Sequence, residues 1–218
     1  MPWLVYLYQF FVLAWRCLSC ALLDLRFIIW GWDVFDINLI RFTAILAVLS
    51  NCVLTVILLK ERRRSLQNIL LVCTNIALII WNLSVFMFTF FSEGHYYSAL
   101  LWWQIAYIGV ISIPVFYTHF IMEFIDQKNK YFIYSLYALG VFFLATELLR
   151  PELVFRLRLV FNKFYWIDCV QFKSIIWYLI YIGFYWIILN FSFLLLLRNF
   201  FKSAGIRKTQ IKFLILGS

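Results

Sequence analysis

The sequence predicts an all-α fold: a polytopic bundle of transmembrane helices joined by short loops. Three observations carry that reading. Apolar residues gather in six continuous blocks of 19–27 residues, and about 20 residues of helix are needed to cross a bilayer. Inside the blocks hydrophobicity does not alternate as a barrel strand requires. Lipid offers no partner to a backbone N–H or C=O, so a helix is the economical structure for each block. Finally, the excess positive charge falls almost entirely on alternate loops. The composition agrees, with 66% hydrophobic, 22% aromatic and only 13% charged residues, unlike a soluble domain.

The blocks run in order over 3–23, 37–59, 66–91, 98–124, 131–149 and 174–197. The first is interrupted by Arg16 and lacks the early positive charge of a signal peptide. Residues 1–36 are therefore expected to form a hydrophobic leader containing an additional membrane-embedded helix. Residues 37–218 form the main membrane domain. A further apolar run starts at Ile211 and has only eight residues up to Ser218. Such a helix rises about 12 Å against a hydrocarbon core of about 30 Å. The span at 211–218 is expected to be truncated, and the chain to be a fragment.

Charge orients the spans. Residues 60–64, 123–130 and 198–212 carry eleven Lys and Arg against three acids, a net of +8. The intervening stretches 24–41, 92–97 and 147–173 carry seven basic and seven acidic residues. The positive-inside rule makes the first set cytoplasmic. A basic face suits anionic lipid headgroups, so the bilayer is the expected partner and nucleic acid is not.

Most loops are short. The exception is "RPELVFRLRLVFNKFYWIDCVQFK", 150–173. Arg156 and Arg158 alternate with Phe155, Leu157 and Leu159, a period-2 signal. Asn162-Lys163 suits a turn, and "FYWIDCV" is rich in strand formers. This stretch reads equally as a short outer β-hairpin at about 153–170 or as an amphipathic segment anchored by Tyr165 and Trp166 in the headgroups.

Candidate chemistry is sparse. Cys17 and Cys20 form a CxxC inside an apolar block, without the polar loop of a zinc site. Cys52 and Cys73 read as small packing residues, and Cys169 has no evident outer partner. His119 and Glu123 share a helix face, but the other histidine, His95, lies in the opposite loop. His119 is better read as an interhelical hydrogen-bonding group. Asn51, Asn75, Asn82 and Asn190 lie within spans and read as amides that tie helices together. Pro114 should kink its helix, and Gly109 would admit a neighbouring helix closely. There is no GxSxG, P-loop, HExxH or paired-carboxylate arrangement. The expectation is no catalytic residue, no metal and no cofactor.

With these spans placed, the chain resembles a known family, the N-terminal seven-transmembrane region of bacterial sensor histidine kinases. The resemblance rests on Asn51, the basic turn before Asn68, and Trp81. It rests further on "LWWQIAYIGVISIPVFYTHFIMEF", with Trp103, Gly109, Pro114, His119 and Phe120, and on "SAGIRKTQIKFLILGS", with Gly205, Arg207, Gln210, Lys212 and Gly217. It implies seven helices starting outside and ending in the cytoplasm, in a bacterial inner membrane. It also implies a two-component signalling role: the membrane unit passes a signal to a dimerising cytoplasmic output domain, a histidine kinase or at times a diguanylate cyclase. The leader 1–36 departs from the pattern, and the sixth helix is incomplete.

The functional expectation is therefore a membrane-embedded sensory input module responding to an unidentified small-molecule or membrane stimulus. The expected homodimer would form through the output domain. Gly109 and Pro114 would set helix shape. His119 would bond across helices beside Phe120, and Arg207, Lys208, Gln210 and Lys212 would mark the cytoplasmic boundary. The competing reading is a multi-spanning transporter or channel subunit, which would want polar groups along a midplane path and repeated halves. A lipid-modifying enzyme is a third, lacking its carboxylate or histidine cluster.

Overall fold

The computed structural model describes residues 37–60, 65–127, 129–149, 157–160, 164–167 and 175–217. The leader with Arg16, Cys17 and Cys20, the charged turn 61–64 and Cys169 lie outside the described residues. The elements are α1 (Ile37–Lys60), α2 (Leu66–Phe88), α3 (Tyr96–Phe124), α4 (Lys130–Leu149), β1 (Leu157–Val160), β2 (Phe164–Ile167), α5 (Ile175–Lys202) and α6 (Gly205–Gly217). Among the described residues, α1 to α4 and the stretch Gly183–Lys202 of α5 are long and apolar enough to cross a membrane. The fold is the helical multi-pass bundle that the apolar blocks imply.

Two units are distinguished. The first, Ile37–Ser192, holds α1 to α4, the strands and most of α5; the second includes Phe193–Ser218. In the first unit, consecutive helices pack antiparallel. On α1 the buried residues are Ala44, Ala47, Asn51 and Leu54, spaced three, four and three apart, which is one helix face. The two alanines let α2 come close. Helix α2 packs between α1 and α3 and is accordingly buried on two faces, from Leu70 and Thr74 to Val85 and Phe88.

The helix ends follow local chemistry. Ser65 caps α2, its hydroxyl accepting the Asn68 N–H at 3.2 Å. Asn129 caps α4 in the same way, accepting from Phe132 N–H at 3.2 Å. Helix α3 closes with a Schellman turn: Gln127 N–H reaches Met122 O at 2.8 Å and Asp126 N–H reaches Glu123 O at 3.2 Å. Asp126 supplies the left-handed residue, with φ 61°. At the opposite end of the bundle, α2 stops at Phe88, three residues before its apolar block does. The chain then turns through Gly94, at φ +91°, a backbone conformation open to glycine.

Two points concern the later elements. Stretch 150–173 contains a two-stranded antiparallel hairpin, with Leu157 opposite Ile167 and Val160 opposite Phe164. Of the two alternatives for that stretch, the strand pairing is the one formed. Helix α6 starts at Gly205 and not at Ile211. Apolar content marks where lipid begins, whereas the backbone takes up its i→i+4 bonds earlier, in the basic turn at Gly205, where φ is +59°.

Candidate functional site

Helix α3 is the hub of the first unit. It meets α2, α4 and α5 through a different set of residues each time, and residues singled out in the sequence lie at two of the three.

The α2 contact is set by Gly109. A Cβ built there would lie 2.6 Å from Ala77 O, 2.9 Å from Trp81 N and 3.2 Å from Trp81 Cβ. The helices therefore touch backbone to backbone, and only glycine fits. Toward the Tyr96 end of α3 the spacing is filled by rings. Trp103 stacks on Phe88 at 4.5 Å between centroids and meets Trp81 edge-on at 6.3 Å. Toward the other end, Gln67 Nε2 donates to Glu123 O at 3.2 Å. Contacts at both ends and the middle pin α2 and α3 along their whole length.

The α4 contact uses His119. Its Nδ1 is hydrogen-bonded to Tyr137 Oη at 3.0 Å, with the rings perpendicular at 5.7 Å. Gly140 lies in the same interface, where a Cβ would come 3.0 Å from Val115 Cγ2. Pro114, buried inside α3, lies between Gly109 and His119 along the helix. Its missing N–H leaves the carbonyl four residues back, at Val110, without its helical donor. Phe120 is buried beside His119, 6.4 Å from the Tyr117 ring and 6.1 Å from the Phe124 ring.

The α5 contact runs through Thr118 and Ser192, both fully buried and 2.7 Å apart. Ser192 Oγ donates to Ile188 O at 3.0 Å. A hydroxyl has one proton to give, so Thr118 is the donor to Ser192. Nothing in the sequence flagged this pair, because isolated Thr and Ser in apolar blocks look like small packing residues.

Other polar residues resolve differently from expectation. The amides of Asn51 and Asn190 donate to their own helices, at Ala47 O and Trp186 O, 2.7 Å in each case. Asn190 is exposed, and Asn75 Nδ2 is buried with no hydrogen-bond partner. Asn51 and Asn190 thus satisfy backbone carbonyls of their own helices. Arg41, near the start of α1, clamps the end of α2. Its Nε donates to Thr89 Oγ1 at 3.0 Å, its Nη2 donates to Thr89 O at 2.8 Å, and its guanidinium lies 4.1 Å from the Phe90 ring centroid.

In the second unit, Lys208 Nζ lies 5.0 Å from the Phe200 ring centroid, within cation–π range. Gln210 and Lys212 are exposed on α6. Arg207 belongs to α6, and its side chain lies outside the described residues.

The sequence of these elements matches a known protein family. The model of the family described as the N-terminal 7TM region of histidine kinase matches residues 42–218. The chain belongs to this family. It is a membrane-embedded, multi-pass sensory input module, and a 7TM input region of this family is not itself catalytic. The match starts inside α1 and takes in every later element, hairpin included. No curated protein and no solved structure matches the chain.

Proposed function

We propose that this 7TM input region controls a histidine kinase output domain in a bacterial cytoplasmic membrane, with the ends at Lys60, Lys130 and Lys202 facing the cytoplasm. The observation that carries the reading is the family match over 42–218; the charge asymmetry of the loops supports the orientation. A stimulus acts only through different affinity for two packings of the bundle. Helix α3 is where such packings would differ, because its three interfaces are separate contacts on one rod. The α2 interface is held by backbone contact and resists change. The α4 and α5 interfaces each include a hydrogen bond between side chains of two helices, and these are the joints that would shift. Helix α5 then carries the displacement toward α6 and a dimeric output domain.

Two experiments test this. In inverted membrane vesicles carrying the full gene product, ATP-dependent histidine phosphorylation should occur, and Thr118→Val should change its rate. A product with no phosphotransfer but directional solute flux would overturn the reading in favour of transport. For the orientation, tags placed in 60–64 and 198–210 should label only after the cell is opened. Labelling from outside would reverse the topology.

A further inference from the structure

The positive charge of the alternate loops is unevenly shared. Residues 60–64 carry four basic side chains and one acid, and residues 123–130 carry two of each. The corner between α5 and α6 differs in kind. It carries Arg198, Lys202, Arg207, Lys208 and Lys212, and there is no Asp or Glu from Phe193 to Ser218.

The corner lies within the unit that includes Phe193–Ser218. Leu194, Arg198 and Phe201 are spaced four and three apart, with Lys202 four beyond Arg198. Residues so spaced are neighbours on a helix surface. All four are exposed, Leu194 by 61% and Phe201 by 78%. The strip therefore changes from apolar to basic toward the end of the span at Lys202. Helix α6 adds a third cation to it. Ser203 N–H reaches Phe200 O at 3.4 Å as the chain turns, and Lys208 Nζ comes back to 5.0 Å from the Phe200 ring centroid. Phe200 in turn meets Phe201 edge-on, with centroids 5.6 Å apart. The ammonium of Lys208 is thus placed beside the last turn of α5, and Lys212 follows one turn along α6, exposed.

We infer that the α5–α6 corner is a binding site for an anionic phospholipid: Arg198, Lys202 and Lys208 take the headgroup phosphate, and Leu194 and Phe201 lie along the glycerol and acyl chain. The guanidinium fork matches a phosphate and the ammonium groups add point charges. Arg198 starts one turn inside the end of the span, and its long stem lets the charged head reach headgroup level. No carboxylate of this segment competes with the phosphate, whereas in 123–130 Glu123 and Asp126 stand beside Lys128 and Lys130. Charge and position together select the ligand. Juxtamembrane cations attract anionic headgroups over about a Debye length, roughly 8 Å at physiological salt. A free phosphate ion would use the cations and leave Leu194 and Phe201 idle; a lipid uses both. A phosphate held by side chains of both helices ties the end of α5 to α6. This is a property of the membrane unit alone and holds whatever the output domain is.

The test uses the whole chain in nanodiscs of phosphatidylcholine with roughly one-fifth phosphatidylglycerol as the anionic lipid. Lipids that stay bound on release are counted by native mass spectrometry. The wild type should retain phosphatidylglycerol at about tenfold its bulk ratio, and the triple variant Arg198→Gln, Lys202→Gln, Lys208→Gln should return it to the bulk ratio. Lys130→Gln, in the turn that carries its own acids, should leave retention unchanged. Inorganic phosphate in excess should not displace the lipid. If the triple variant fails to fold, Lys202→Gln and Lys208→Gln should each lower retention severalfold, and Lys202→Arg should preserve it. No enrichment in the wild type, an equal loss in Lys130→Gln, or displacement by free phosphate overturns the proposal.

Discussion

The hydroxyls of Thr118 and Ser192 are 2.7 Å apart and fully buried, joining α3 to α5 across 74 residues of chain. Thr118→Val keeps the shape and removes the donor. Ser192 still has Ile188 O as its acceptor, so no new buried donor is orphaned. The loss should be about 0.6–1.7 kcal/mol, the range for interhelical hydrogen bonds in membranes. A double-mutant cycle with Ser192→Ala, read from unfolding in mixed micelles, should recover a coupling energy of that size. A coupling of zero would mean the contact is incidental.

Three glycines in spans differ in what surrounds them. At Gly109 an added methyl meets the backbone of α2, which cannot rotate away. Gly109→Ala should cost about 1–3 kcal/mol, as overpacking does. At Gly183 nothing lies within 4 Å of the same methyl. Gly183→Ala should therefore stabilise α5 by about 0.5–1 kcal/mol through helix propensity. Gly140 falls between them, because its obstacle is one side-chain methyl of Val115. Thermal unfolding of the three variants should rank Gly183→Ala above Gly140→Ala above Gly109→Ala.

Arg41 fastens the end of α2 with two hydrogen bonds and a ring contact. Lysine keeps the charge but not the planar fork. Arg41→Lys should cost about 1 kcal/mol, in the range of a lost charge-assisted hydrogen bond offset by the retained cation. Hydrogen exchange should show faster opening of 86–92 while the α3–α4 interface is unchanged.

Tyr137→Phe removes the hydroxyl bonded to His119 and leaves the perpendicular ring contact in place. A loss of about 0.6–1.7 kcal/mol is expected. His119→Phe should give a similar loss, and the double variant little more than either alone. Additive losses would show that the two groups act on different partners.

How far these contacts could be read from the chain depends on their chemistry. Gly109 and His119 stand out in an apolar block because a missing side chain and an imidazole are costly there without a reason. Thr118, Ser192 and Tyr137 do not stand out, since each is an ordinary occupant of a membrane helix. Glu147 was obscured by its position. It precedes Arg150 and Pro151, and so it reads as one more loop carboxylate near an interface, whereas the helix carries it through Leu149 with its side chain turned inward.

By itself the sequence determined the class, the number and order of the described spans, and the family. Those follow from transfer of apolar blocks into lipid and from residue types at set intervals, both of which are properties of the chain read locally. Only the tertiary structure decided that Gly109 meets the backbone of Ala77 and Trp81, that Thr118 finds Ser192, and that Arg41 closes on Thr89. In a span where nearly every residue is apolar, periodicity barely separates the face turned to lipid from the face turned to protein. Which face packs, and on which neighbour, is settled by shape and hydrogen bonding between segments distant in the chain.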